Sequence, residues 1–337
     1  MKEAMFYNRL EHDRVSCFLC SQHCIIDPDG FGKCGVRQNR EGKLFSLVYA
    51  KPVAGHSDPV EKKPLFHFLP GSLSYSIATV GCNFKCSFCQ NADISQSPRI
   101  SGAIYGRETP AGEVVDQAQK EGCASIAYTY TEPTIFMEYA LDVAALAKER
   151  GLENVFVTNG YMSAEALDAA APLLAAANVD LKAFSDSFYR DRCGARLKPV
   201  LMTLERMKEK SIWLEVTTLL IPGLNDSEAE LKEIATFLVG LGAETPWHVS
   251  RFHPAYHMTE ARPTPVATIR RARQIGLEAG LRYVYTGNAP GDDGENTFCH
   301  SCGALLIGRI GYSVQRYGLR GGVCAKCATA FAGVGLD

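Results

Sequence analysis

Ser74-Tyr75-Ser76-Ile77-Ala78-Thr79-Val80-Gly81-Cys82-Asn83-Phe84-Lys85-Cys86-Ser87-Phe88-Cys89 decides how the rest of the chain is read. Its first half, Tyr75 to Val80, is an apolar, strand-like run. Its second half carries three cysteines spaced C-x3-C-x2-C. Three thiolates are one too few for a closed structural zinc site, which takes four ligands. They suit a four-iron cluster in which one iron has no protein ligand. Such an iron can chelate a small molecule and pass it an electron.

With Phe88 directly before the third cysteine, this spacing resembles the signature of the radical S-adenosylmethionine (SAM) superfamily. The resemblance implies a [4Fe-4S] cluster on Cys82, Cys86 and Cys89, with SAM bound to the open iron by its amino and carboxylate groups. It implies reductive cleavage of the sulfonium to a 5′-deoxyadenosyl radical that abstracts a hydrogen atom from an unreactive C–H.

At 337 residues, with 46% hydrophobic and 21% charged residues, the chain has room for one large domain and small appendages. No apolar run reaches the roughly 18 residues that span a bilayer. Met1-Lys2-Glu3-Ala4 is polar where a secretory signal would be apolar. The expectation is a cytoplasmic protein whose thiols stay reduced, so thirteen cysteines read as metal ligands rather than disulfides. A net charge of -2 gives no global reason to expect nucleic acid as a partner, and no membrane association is expected.

From Leu73 to about Tyr285, short β-rich runs alternate with helical stretches, the pattern of a parallel sheet with crossover helices. The candidate strands are Ser74–Val80, Ser125–Tyr130, Asn154–Thr158, Asn178–Leu181, Ile212–Leu220 and Trp247–Phe252, with Arg282–Tyr285 a possible addition. Thr134–Arg150 and Ser163–Ala177 read as helices. The expected fold class is α/β, a partial TIM-type (β/α)6 barrel over residues 72–290, with a doubly wound sheet as the alternative. Residues 1–71 form a Cys-rich metal-binding region ending in an irregular strap, Lys51–Pro70. Residues 291–337 form a zinc-ribbon or rubredoxin-like appendage.

Barrel chemistry sits at the C-terminal ends of strands, and unusual polar residues recur there. Glu132, after Tyr130 and Thr131, either holds the SAM ammonium or serves as a helix-start carboxylate ahead of Pro133. Thr158-Asn159-Gly160 bonds the ribose or carboxylate, or simply turns the chain. Asp180 and Lys182 alternate on one strand face, forming either part of the site or a buried ion pair. In Ile221-Pro222-Gly223, Gly223 permits close backbone approach to a ligand or makes an ordinary turn. Phe88, Ile221 and His253 complete the candidate cofactor contacts. These motifs resemble the branch that contains pyruvate formate-lyase activating enzymes, in which Gly-Gly-Glu-Pro usually stands where this chain has Tyr130-Thr131-Glu132-Pro133.

Cys299, Cys302, Cys324 and Cys327 form two C-x2-C knuckles, a four-cysteine site expected to hold zinc in a structural role. Such a staple suits a segment too small to bury a core of its own. Arg309, Arg316 and Arg320 are too few to indicate nucleic-acid binding. Cys17, Cys20, Cys24 and Cys34 hold either zinc or an auxiliary iron–sulfur cluster, with His23 a substitute ligand. Of the two isolated cysteines, Cys193 is placed on the active side of the barrel, as a hydrogen-atom donor or an incidental core cysteine. Cys123 precedes the second strand and belongs to the core.

Gly32-Lys33-Cys34-Gly35-Val36-Arg37, Glu61 to Gly71, Thr79 to Phe84, Tyr285-Thr286-Gly287-Asn288 and the ribbon together resemble the radical SAM component of the AmmeMemoRadiSam system. That resemblance implies partners of the Amme and Memo families. A low-potential ferredoxin or flavodoxin is the expected electron donor. Two further functions stay open: an activase that installs a glycyl radical on another protein, and a non-catalytic metal scaffold that binds protein or RNA.

Overall fold

The computed structural model describes residues 1–336. Its centre is a sheet of eight strands, β1 (Ala54–Pro59), β2 (Leu73–Ala78), β3 (Ser125–Tyr128), β4 (Glu153–Thr158), β5 (Ala176–Asp180), β6 (Trp213–Leu220), β7 (Trp247–Arg251) and β8 (Val284–Gly287). They lie side by side in chain order, with β2 to β8 parallel and β1 antiparallel to β2 at one edge. A doubly wound sheet reverses its order at a switch point. This one never reverses, so each right-handed crossover advances the same way and the helices gather on one face. The result is a partial barrel. Among the described residues β8 pairs only with β7, and the barrel stays open.

The crossover helices are α1 (Ala111–Lys120), α2 (Met137–Glu149), α3 (Ala164–Ala170), α4 (Leu197–Glu209), α5 (Glu228–Leu241) and α6 (Val266–Glu278). In α5 the Ser227 hydroxyl accepts the Glu230 N–H at 3.3 Å, a cap that starts the helix. Leu231, Ile234, Ala235 and Leu238 then form its buried stripe at helical spacing. β3 is buried along its whole length, as a strand covered on both faces must be.

Two expectations are corrected. The Ala-rich run Ser163–Ala177 is not one helix: α3 stops at Ala170, a 3-10 turn spans Ala171–Leu173, and Ala176 opens β5. Pro172 lacks the N–H that would continue the helix. Pairing of Ala176 with Val155 and Trp213 then outweighs the helix preference of alanine. The strap is not wholly irregular either, since β1 occupies its first part. Ala54-Gly55-His56-Ser57-Asp58-Pro59 contains no β-branched or aromatic residue, which hides the strand from propensity.

Beyond β1 the strap closes the lower end of the barrel. Leu65 and Phe68 pack with Ala127, Val155 and Ala176 from three strands. The Glu215 carboxylate on β6 accepts the Phe66 and His67 N–H groups at 3.0 and 2.8 Å, the Trp213 indole at 3.1 Å, and faces His248 Nε2 at 2.7 Å. His67 in turn contacts the Tyr285 hydroxyl at 2.5 Å and the Ala332 carbonyl at 2.7 Å. Thus the ribbon shares one core with the strap and β8, through Phe66, Tyr283, Tyr285, Leu306, Ile307 and Phe331. Arg309 is 3% exposed and donates to Phe66 O and Thr297 Oγ1, both at 2.7 Å, so it holds the ribbon down rather than offering a basic surface.

The N-terminal region forms two small antiparallel sheets. A buried ion pair, Arg37 with Glu138 of α2, and a bridge between Cys20 and Met162 fasten it to the barrel. No helix among the described residues is long and apolar enough to cross a membrane.

Burial pushes the His67 pKa down to about 4, from an ordinary value of 6.5. Above pH 6.5 the imidazole is neutral both folded and unfolded. Between 6.5 and 4 only the unfolded chain takes up the proton, so stability is lost as pH falls through that window. The loss should approach about 3 kcal/mol. Urea titrations at pH 7 and pH 4.5 should show it, and His67→Gln should flatten the difference between them.

Candidate active site

The cysteine loop leaves the C-terminal end of β2 through Gly81. That residue has φ +97°, and a Cβ there would lie 2.5 Å from Val36 and 3.1 Å from the Cys34 carbonyl. Only glycine lets the loop pass so close to the N-terminal region. The loop is then clamped from several sides. Lys85 N donates to Cys193 O and Ser87 N to Arg192 O, both at 2.9 Å, while His257 N donates to Ser87 O at 3.0 Å. Arg99 spans the carbonyls of Cys82, Phe84 and Lys33. Gln22 donates to Asn83 O at 3.0 Å and Gly194 O at 2.9 Å.

Cys82 and Cys86 are buried and Cys89 is half-buried. Burial raises the thiol pKa of Cys82 and Cys89, while the adjacent Cys193 thiol, followed by burial, raises that of Cys86. Neutral thiols must lose protons to become ligands, so cluster loading releases protons. The fit to a cluster rests on two observations. Asn83 Nδ2, beside Cys82, is buried without a hydrogen-bond partner, a donor available to sulfur. No three of these groups converge within 4.8 Å, so the spacing is too wide for a single ion and leaves room for a larger body.

The structure brings several sequence-predicted residues to this loop. Asn159 Nδ2 lies 3.9 Å from Cys82 Sγ and donates to Asn83 Oδ1 at 2.7 Å. Glu132 is fully buried and accepts from Thr134 N, Thr134 Oγ1, Thr158 Oγ1 and Asn159 N at 2.5–3.1 Å. Its carboxylate thus caps the turn after β3 and orients the end of β4. Lys182 Nζ pairs with Asp180 at 2.9 Å and lies 5.9 Å from the Phe88 ring centre. Despite partial burial, its pKa is held well above the usual value by Asp180 and the Cys86 and Cys193 thiols. Cys193 is fully buried beside Cys86, at the end of a π-turn (Tyr189–Cys193).

Other predicted residues stand apart from the cysteines. Tyr130 takes the left-handed region, φ 63°, and its hydroxyl donates to Asp58 at 2.5 Å beside Lys63 and His56. Burial pushes the Lys63 pKa down to about 8. Thr131 Oγ1 donates to Thr79 O at 2.9 Å. Ile221 is buried and its N–H donates to Asn225, while Gly223, φ +72°, faces open space. His253 is exposed, and only its carbonyl meets the loop, through Gln90 at 3.3 Å. Arg99, Gln22 and Met258 were missed, because each reaches the loop from outside it without a motif of its own; Asn91, two residues after Cys89, was missed too and donates to Tyr130 O at 2.8 Å.

The two flanking quartets differ. Cys299–Cys327 and Cys302–Cys324 stand 3.6 and 3.7 Å apart, and all four sulfurs lie within 4.8 Å. A tetrahedral ion with metal–sulfur bonds of about 2.3 Å needs about 3.8 Å between sulfurs. Cys17, Cys20, Cys24 and Cys34 share one neighbourhood without converging so tightly. Cys123 is buried against Ser57. A separate cavity of about 670 Å³ lies away from the cysteine loop, between His248 and Ser250 of β7, the segment after β8, and Arg309 of the ribbon.

A thiol loop of this form at the mouth of an open parallel barrel defines a class of iron–sulfur enzymes, and the comparisons agree. Residues 76–238 match the family model described as Radical SAM superfamily. The chain is 46% identical over 316 residues to an uncharacterised protein of Methanocaldococcus jannaschii, covering 94% of this chain and 93% of that one. It is 24% identical over 205 residues to the isethionate sulfite-lyase activating enzyme of Nitratidesulfovibrio vulgaris, covering 58% and 67%. A radical SAM methyltransferase structure from Sphaerobacter thermophilus aligns with TM-score 0.51 and 21% identity, covering 71% of each chain, a likeness of fold. The chain belongs to the radical SAM superfamily and is an enzyme of it. Membership implies a [4Fe-4S] cluster and SAM.

Arg99→Ala should weaken retention of iron by roughly 10–100-fold, as loss of groups that orient metal ligands does. Iron per chain after desalting against a chelator would measure it, with circular dichroism confirming the fold.

Proposed function

We propose that this enzyme reductively cleaves SAM at a cluster held by Cys82, Cys86 and Cys89, and takes a hydrogen atom from an organic substrate. The observation that carries the reading is the clamped three-thiol loop at the strand ends, with the unpartnered Asn83 amide beside it. When bound, the cluster and SAM supply one-electron cleavage of the sulfonium to a 5′-deoxyadenosyl radical. The chain holds and shields that chemistry. Asn159 directs its amide at Cys82, and Glu132 fixes Asn159 and Thr158 in place. Lys182 brings a half-buried positive charge to the side of Cys86, which favours an added electron there. Phe88 and Ile221 exclude water, and the open backbone at Gly223 admits a ligand.

The ribbon cysteines hold one zinc ion, as their tetrahedral spacing supports. Ferredoxin or flavodoxin supplies the electron. The motifs shared with the AmmeMemoRadiSam component support a setting alongside Amme-family and Memo-family proteins. A second reading, activation of a glycyl-radical enzyme, is favoured by the activating-enzyme name of the Nitratidesulfovibrio vulgaris relative.

Anaerobically reconstituted protein, reduced with dithionite in the presence of SAM, should form 5′-deoxyadenosine. Cys82→Ala should return it to the protein-free background while keeping about one zinc per chain. A Cys82→Ala chain as active as the parent sinks the proposal. A glycyl-radical signal on a partner protein would select the activase reading.

A further inference from the structure

We propose that Cys17, Cys20, Cys24 and Cys34 hold a second iron–sulfur cluster, not a zinc ion, and that it relays the reducing electron to the Cys82–Cys86–Cys89 loop. The cluster stands on its own geometry; the relay rests on the SAM-cleaving reading above.

The four thiols come together from two turns. Cys17 and Cys24 face one another across an antiparallel pair, and Cys20 lies in the connection between them, pinned to Met162. Cys34 sits in a turn closed by Gly35 N to Gly32 O at 2.9 Å. Every pair among the four interacts electrostatically, yet no three sulfurs lie within 4.8 Å. The ribbon quartet, in the same molecule, meets that limit. A single tetrahedral ion fits the ribbon spacing and not the wider N-terminal set, which suits a larger body bridging the four thiols.

The surroundings suit an anionic cluster. Lys33 N donates to Cys24 Sγ at 3.4 Å, and backbone N–H groups of Gln22 and Val36 serve Cys20 and Cys34. Hydrogen bonds to sulfur and nearby charge set the potential of such clusters. Arg37 is 1% exposed, its Nε has no partner, and its charge acts on Cys17 and Cys34. A buried donor left unpaired is costly unless something absent from the bare chain accepts from it.

Position supplies the relay. The Cys34 carbonyl touches the place where Gly81 would carry a Cβ, one residue before Cys82. Arg99 joins Lys33 O to Cys82 O, and Gln22 joins the Lys33 ammonium to Asn83 O. Cys24 is half-buried while the other three thiols are buried, so an electron enters at its side. A low-potential one-electron protein donor is oxidised by one electron, the N-terminal cluster takes it, and passing it on restores that cluster. No bond or proton changes hands.

The test uses the full chain, reconstituted with iron and sulfide. The Cys82→Ala/Cys86→Ala/Cys89→Ala variant should keep about four irons and an electron paramagnetic resonance signal after dithionite. An iron-free triple variant, with or without a second zinc, overturns the cluster. Its result does not depend on SAM cleavage, so failure of the SAM reading is seen separately, as no 5′-deoxyadenosine from the parent chain. For the relay, Cys24→Ala should form 5′-deoxyadenosine about tenfold more slowly with reduced flavodoxin and within about twofold of the parent with dithionite. Equal rates with both reductants overturn the relay. If Cys24→Ala does not fold, Lys33→Pro, which removes the N–H donated to Cys24, replaces it with the same expected split.

Discussion

A single buried carboxylate organises the closed end of this molecule. Glu215 projects from the middle of the sheet and receives donors from the strap, from Trp213 of its own strand and from His248 of the next. A charge so placed survives only because all its lone pairs are occupied. In spite of burial, His248 first, with His67 and the Phe66 N–H, holds its pKa below the ordinary carboxylate value, so it stays ionised. The strap is thereby fixed, and His67 on it reaches Tyr285 and the ribbon. A barrel that fails to close by strand pairing is closed by side chains instead.

The other end works differently. Around the cysteine loop the clamps are backbone bonds to the π-turn and the segment after β7, and the side chains of Gln22 from the N-terminal region and of Arg99. Three separate parts of the chain must fold before the loop has its shape. Rigidity at the lower end and convergence at the upper one are complementary: strands run from the first to the second, so a fixed base sets where their tips stand.

The cysteines and the strand-end residues were legible because their chemistry is specific and their spacing short. That β2 to β7 are strands of a parallel sheet followed from alternation along the chain; their order did not, since a doubly wound sheet alternates in the same way. β1 was not legible, since Ala54 to Pro59 has no strand-forming side chain and owes its form to pairing with β2. Ala176 and Ala177 looked helical for the mirror-image reason, local preference overruled by neighbours. Glu132 stood out in sequence as a strand-end carboxylate, but its four donors lie up to 27 positions away and left no trace there. Arg99 and Arg309 read as ordinary basic residues; only folding turns one into a brace for the loop and the other into a bolt for the ribbon.

The shared core of ribbon and strap also sets an order of assembly. Phe66 and His67 leave the ribosome well before Phe331, their packing partner. At roughly 5–20 residues per second, the intervening chain takes on the order of ten seconds or more to appear. Tyr283 and Tyr285 emerge only near the end of it, so for the last few seconds the completed sheet stands without its seal and their apolar faces are bare. The nascent enzyme therefore passes through a stage at which a chaperone, or the machinery that delivers metal, finds the barrel still open from the side.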